Sequence, residues 1–144
     1  MGLNTPSQLA LNLGLNDEAK FQNFLDFGSN AEVLNELKGQ SPMIFLWGGL
    51  GVGRTHLLQS VCHNALEKNG SSIYIPLLGT KDLSPDILLG IEMVDIICLD
   101  DVHAVLNQFE WEKALFQFYN KVKESGSRLI INAHQSPQKL KFIL

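Results

Sequence analysis

The stretch MIFLWGGLGVGRTHLL, residues 43–58, decides the fold of this chain. An apolar run at 43–47 is followed by a glycine-rich segment and by a helical pattern that starts at Thr55. From Gly48 to Thr55 the spacing is that of a phosphate-binding loop, G-x-x-x-x-G-K-[ST], with Arg54 in the lysine position. Glycines let successive backbone N–H groups point at one anion, and the helix N-terminus adds its dipole. The stretch therefore predicts a strand, a phosphate-binding loop and a helix, in that order.

We expect the phosphates of a nucleotide to lie against this loop and the first helical turn. The predicted nucleotide-binding residues are Gly48, Gly49, Leu50, Gly51, Val52, Gly53, Arg54, Thr55 and His56. The hydroxyl of Thr55 is a predicted Mg²⁺ ligand. Arg54 keeps the positive charge but replaces a compact ammonium with a wider planar fork. We therefore expect nucleotide binding without efficient hydrolysis.

A second predicted part of the site is acidic. The apolar strand predicted at 94–99 ends in Asp100 and Asp101, and ligands collect at the carboxyl ends of strands in open α/β sheets. A carboxylate there can hold Mg²⁺, and a neighbouring carboxylate can orient an attacking water. We assign Asp100 the first role and Asp101 the second. The alternative is that the pair only ends the strand and caps the following turn.

The last predicted strand, 128–132, also ends in a polar side chain. Asn132 could reach the terminal phosphate or the attacking water, and His134 is the alternative candidate. Either residue could equally be a turn residue that hydrogen-bonds its own backbone. Both readings stay open at this point.

The order of the remaining elements predicts the fold class. Predicted strands and helices alternate from residue 43 onward, and the strands are continuously apolar, at 43–47, 72–77, 94–99 and 128–132. Such strands are buried on both faces, so the pattern predicts a parallel sheet with helices on both sides. Helices are predicted at 31–38, 55–68 and 109–124, with a short one after Pro85. The expected fold class is a three-layer α/β domain.

Composition limits the function classes. The chain has 144 residues, enough for one domain, and a net charge of −4. This charge argues against sequence-specific DNA binding, because phosphate neutralisation needs clustered Lys and Arg. The sequence has no signal peptide pattern and no apolar stretch of membrane-spanning length, so we expect a cytoplasmic protein without a membrane partner. Cys62 and Cys98 lie among apolar neighbours and are expected to be reduced core thiols.

These motifs resemble the AAA+ branch of the P-loop NTPases. The segments at 53–58, 99–102, 116–120 and 21–24 are similar to the bacterial replication initiator DnaA. The resemblance is closer to the Hda proteins, which are shorter regulatory homologues of DnaA. It rests on three features: Arg54 in the loop, the stretch at 111–116 and the tail at 8–13. It covers nearly the whole chain from Gln8 onward. It implies a flexible tail at 1–16 and a partial AAA+ nucleotide-binding domain at 17–144.

The tail resembles the motif by which replication proteins dock on the bacterial sliding clamp. The residues in question are Gln8, Leu9, Leu11 and Leu13. A glutamine followed by leucines in an extended arm can place aliphatic side chains in apolar pockets while its amide makes directed hydrogen bonds. The alternative is that these leucines pack on the surface of the domain itself.

The resemblance implies a regulator with two protein partners, the sliding clamp and DnaA. Such a protein binds adenine nucleotide, ADP or ATP with Mg²⁺, and promotes hydrolysis of the ATP bound to DnaA. The alternatives are an ATP-driven initiator or helicase loader and a small P-loop kinase. A full AAA+ module would continue beyond Leu144 with an arginine finger, a fifth strand and a helical lid. We therefore expect weak ATPase activity and an exposed apolar strand at 43–47.

Overall fold

The computed structural model describes residues 31–48, 53–78 and 83–135. Their regular elements, in chain order, are α1 (Ala31–Lys38), β1 (Met43–Trp47), α2 (Arg54–Glu67), β2 (Ser72–Pro76), β3 (Ile96–Asp100), α3 (Phe109–Ser125) and β4 (Arg128–Ala133). Single 3₁₀ turns lie at Pro85–Leu88, Ile91–Met93 and Val102–Val105. The predicted strands and helices are all present, with ends that differ by a residue or two.

The four strands form one sheet in the order β1-β4-β3-β2, and every neighbouring pair is parallel. Parallel strands need crossover connections, which cover the faces of the sheet. In the described residues β1 lies at one edge, and the side chain of Trp47 at its end is 56% exposed. The predicted parallel α/β architecture is confirmed.

Helices pack on both faces of the sheet, and the alternation of side chains along each strand separates two cores. On one face, α1 and α2 pack against side chains from the three strands β2, β3 and β4, including Tyr74, Cys98 and Ile130. On the opposite face lie α3 and the 3₁₀ turns, which contact the alternate positions Ile73, Ile97 and Leu129. The three-layer arrangement follows from this two-sided burial.

The third strand starts later and ends later than its apolar run predicts. Asp95 ends the preceding turn, because its carboxylate accepts from Ser71 N–H (3.0 Å) while its own N–H donates to Ser71 Oγ (2.9 Å). At the other end, Asp100 pairs with Pro76 of β2 and so belongs to the strand. The first acidic residue is therefore held by the sheet.

Two further predictions concern the cysteines and the membrane. Cys62 and Cys98 are buried free thiols, as predicted. Within the described ranges, no helix has both the length and the apolar character needed to cross a membrane.

Candidate functional site

The N-terminus of α2 follows the carboxyl end of β1 in the chain, because β1 ends at Trp47 and α2 begins at Arg54. Gly53 precedes the helix with φ 78° and ψ 22°, in the left-handed region that favours glycine. Its carbonyl accepts the helical hydrogen bond from Leu57 N–H at 3.0 Å. The first N–H groups of a helix have no acceptor within the helix, so this end suits an anion.

Only part of the predicted phosphate loop is described. Thr55 is exposed in the first turn of α2, and His56 is half-buried. Residues 49–52, namely Gly49, Leu50, Gly51 and Val52, lie outside the described residues, as does the side chain of Arg54. The tail residues Gln8, Leu9, Leu11 and Leu13 also lie outside them.

Asp100 is a buried carboxylate at the end of β3, only 2% exposed. Its Oδ1 accepts from Asn132 Nδ2 at 2.5 Å, and its Oδ2 accepts from the hydroxyl of Tyr74. Hydrogen bonds to an ionised group are stronger than neutral ones. The structure thus brings together two predicted site residues, Asp100 and Asn132, from adjacent strands.

Asn132 also holds the turn that follows β3. Its side-chain Oδ1 accepts from the backbone N–H of Asp101 at 2.5 Å, and Asn132 itself is fully buried. Asp101 has φ 55°, a left-handed conformation that is uncommon outside glycine but enriched in Asp and Asn. Asn132 therefore positions both acidic residues, whereas the sequence left open a contact with phosphate or water and a turn residue that hydrogen-bonds its own backbone.

Tyr74 is a member of the site that the sequence analysis missed. It is 3% exposed, and a hydrogen bond from the side chain of Gln59 on α2 also reaches its phenol. Burial raises the pKa of Tyr74 well above its ordinary value, and the bond to Asp100 raises it further. The phenol is therefore a protonated donor at neutral pH. One feature of the sequence could have pointed to Tyr74. It is the only tyrosine in an otherwise apolar predicted strand, and a buried tyrosine hydroxyl needs a hydrogen-bond partner.

His134, the alternative to Asn132, makes a different contact. It is exposed, its ring centroid lies 3.9 Å from that of His103, and its backbone N–H donates to His103 Nδ1 at 3.1 Å. The two imidazoles connect the loop after β4 to the 3₁₀ turn after β3. The structure therefore groups Asn132, rather than His134, with Asp100.

The donor set at this edge fits a magnesium ion that accompanies a nucleotide. Mg²⁺ prefers hard oxygen ligands and keeps several waters, so one or two protein oxygens with substrate phosphates suffice. Asp100 uses one acceptor position on each oxygen and, as a carboxylate, keeps others free. In the part of the chain that is described, no group of three or more His, Cys, Asp or Glu could hold a metal by itself. Thr55 and Asp100 remain the residues that would hold the ion.

Comparisons with known proteins point to the same architecture. No family model matches the chain. AMPPCP-bound DnaA from Aquifex aeolicus is 24% identical with a TM-score of 0.75, and the match covers 89% of this chain and 45% of that one. Domain III of DnaA from Thermotoga maritima is 26% identical with a TM-score of 0.74, covering 88% and 60%. The structure of DnaI is 15% identical with a TM-score of 0.71, covering 89% and 80%.

The chain thus spans about half the length of the Aquifex DnaA structure that it matches. DnaI, with its low identity, supports the fold alone. With its parallel sheet, its order of strands and its helix-bearing faces, this chain has the AAA+ P-loop NTPase fold of DnaA domain III.

Proposed function

We propose that this chain binds an adenine nucleotide with Mg²⁺ and regulates the initiation of chromosome replication in the manner of Hda. The observation that carries the nucleotide site is the pairing of Asp100 with Asn132 on the face of the sheet covered by α2. The N-terminus of α2, with Gly53 and Thr55, begins at the same edge. The Aquifex DnaA structure of this fold contains AMPPCP, an adenine nucleotide analogue.

Each residue has a defined role in this proposal. Backbone N–H groups of the loop and of the α2 N-terminus bind phosphate oxygens. Thr55 and Asp100 hold Mg²⁺, which neutralises phosphate charge, and Asp101 orients water while Asn132 keeps both acidic residues in place. Arg54 in the lysine position makes turnover inefficient. ADP is then a structural ligand of the regulator.

The regulatory part of the proposal rests on the resemblance to Hda. Gln8, Leu9, Leu11 and Leu13 dock on the sliding clamp, and the nucleotide-bound domain approaches DnaA and promotes hydrolysis of its ATP. The net charge of −4 agrees with protein partners and not with direct, sequence-specific DNA binding.

Nucleotide binding is the experiment that tests the proposal. Calorimetric titration of the chain with ADP and with ATP, in Mg²⁺ and in EDTA, should show binding that Mg²⁺ strengthens. Thr55→Ala should weaken binding in Mg²⁺ about tenfold, or about 1.4 kcal/mol, because the metal loses a ligand. Ser41→Ala removes a hydroxyl near α1, bonded to Glu36, and should bind like the unaltered chain. A folded chain that binds neither nucleotide would contradict the proposal.

A helicase loader or initiator is the second candidate, favoured by the likeness to domain III of the replication initiation protein DnaA from Thermotoga maritima, which is 26% identical over 88% of this chain. That class should hydrolyse ATP or bind single-stranded DNA. Multiple-turnover ATPase activity in this chain, together with no affinity for the sliding clamp, would select the second candidate over the first.

A further inference from the structure

We propose that Tyr74 is a positioning residue for the magnesium ion of the nucleotide site, through the carboxylate of Asp100. The inference rests on the proposed nucleotide function and deepens it. In this view the hydroxyl of Tyr74 and the amide of Asn132 hold the carboxylate from two sides. Held in this way, the carboxylate would have its remaining lone pairs available to the ion or to a water bound to it.

The register of the sheet produces this arrangement. Tyr74 of β2 pairs with Cys98 of β3, while Asp100 lies two residues further along β3 and on the same face. The phenol therefore reaches diagonally along the sheet to Oδ2, and Asn132 on the other neighbouring strand reaches Oδ1. Asp100 is held between side chains from both of its neighbouring strands.

Burial makes these two hydrogen bonds necessary. Tyr74 is 3% and Asp100 2% exposed, and a carboxyl group withdrawn from water needs hydrogen-bond partners. The hydroxyl of Tyr74 meets this need on one side by donating to Oδ2 of Asp100, and the amide of Asn132 meets it on the other by donating to Oδ1. Groups that hydrogen-bond a ligating carboxylate orient it and tune its affinity for metal.

The same tyrosine also contacts α2, the helix that carries the second predicted metal ligand. The side chain of Gln59, which is 5% exposed, hydrogen-bonds the phenol of Tyr74. Gln59 lies four residues after Thr55, one turn along the same face of α2. Tyr74 thus links α2, the helix that carries Thr55, to Asp100 on β3.

The test compares the two tyrosines of the chain. ADP affinity is measured in Mg²⁺ and in EDTA for the unaltered chain, for Tyr74→Phe and for Tyr119→Phe, an exposed position on α3. The Mg²⁺ enhancement is the ratio of the affinity in Mg²⁺ to the affinity in EDTA. It should fall about three- to tenfold in Tyr74→Phe, the loss expected for one typical hydrogen bond. Binding in EDTA should stay unchanged, and Tyr119→Phe should match the unaltered chain. An unchanged enhancement in Tyr74→Phe, or equal weakening in Mg²⁺ and EDTA, would overturn the proposal.

A second measurement does not require Tyr74→Phe to fold. In Tyr119→Phe the only tyrosine is Tyr74, so labelling tyrosine with ¹³C at Cζ gives one NMR signal from its phenol carbon. That signal should move when Mg²⁺ is added to the ADP complex and move less when ADP binds in EDTA. If ADP binds but the signal does not move when Mg²⁺ is added, the role of Tyr74 is overturned while the nucleotide function stands. A folded chain that does not bind ADP would overturn the nucleotide function as well.

Discussion

A single buried carboxylate organises the candidate site at the residue scale. Asp100 is 2% exposed and Asn132 fully buried, and isolated buried charges are strongly unfavourable in a protein interior. Tyr74 and Asn132 each supply a donor, so the charge is compensated inside the protein. Removing one of these two hydrogen bonds should lower the stability of the fold, because a buried polar group with an unmet hydrogen bond is unfavourable. The site therefore depends on all three side chains together.

Cys98 provides a residue-scale prediction in the same part of the core. Its thiol is fully buried on the α2 face, and burial raises its pKa well above the ordinary value, with a hydrogen bond to Cys62 as the second cause. The folded thiol stays protonated, whereas the unfolded thiol ionises above about pH 8.5. The free energy of unfolding should therefore fall as pH rises above that value, by at most about 1.4 kcal/mol per pH unit for this group.

Denaturant unfolding of the unaltered chain and of Cys98→Ala, between about pH 7.5 and pH 9.5, checks this expectation. The decline with pH should be shallower in Cys98→Ala. In the native chain, Cys98 should react with a thiol reagent no faster than the protein unfolds locally. The reactive species is the thiolate, and the buried thiol stays protonated until it is exposed. Equal pH slopes in both chains would contradict the assignment to Cys98.

At the element scale, α1 is attached to the sheet by one arginine. Arg128, the first residue of β4, donates from Nη1 to Leu37 O (2.7 Å), from Nη2 to Glu36 O (2.5 Å) and from Nε to Ser41 O (2.8 Å). The carbonyls of the last helical turn have no partner within a helix, so a cation there satisfies them and suits the helix dipole. Leu37, 1% exposed, completes the attachment by packing against the α2-side core.

Replacing Arg128 with Lys should destabilise the fold by about 2 kcal/mol, because an ammonium cannot reproduce the guanidinium fork and leaves carbonyls without donors. Chemical denaturation measures the change. Lys121→Ala on the exposed side of α3 is the control and should shift stability by less than about 0.5 kcal/mol. Similar stabilities of Arg128→Lys and the unaltered chain would show that α1 is held by apolar packing alone.

At the scale of the whole molecule, lateral strand order determines which residues meet. β4 lies between β1 and β3, so the end of the last strand in sequence is adjacent to the end of the strand that carries Asp100. The helices on the two faces bury the sheet and leave its carboxyl edge as the place where loops from several strands converge. The proposed site is a property of this assembly rather than of one element.

The proposed partnership with the sliding clamp also belongs to the whole molecule. Binding to immobilised clamp should be lost in the double variant Gln8→Ala/Leu11→Ala, because the amide and an aliphatic anchor of the extended motif are removed. Asn12→Ala, which leaves the glutamine and the leucines in place, should still bind. Circular dichroism should be unchanged in both. Loss of folding in the double variant, or full binding by it, would contradict the assignment of the tail.

The sequence by itself determined the elements, the parallel sheet and the positions of Gly53, Thr55 and Asp100 at helix and strand ends. Local signals suffice for these features, because hydrophobic runs, glycine spacing and polar residues at strand ends act over a few neighbouring positions. They did not determine the partners of Tyr74, Asn132 and Arg128. Those contacts join residues 26, 32 and 91 positions apart. Only the tertiary structure decided them, because strand order and register set lateral neighbours, and no local pattern encodes which distant donor will meet a buried carboxylate.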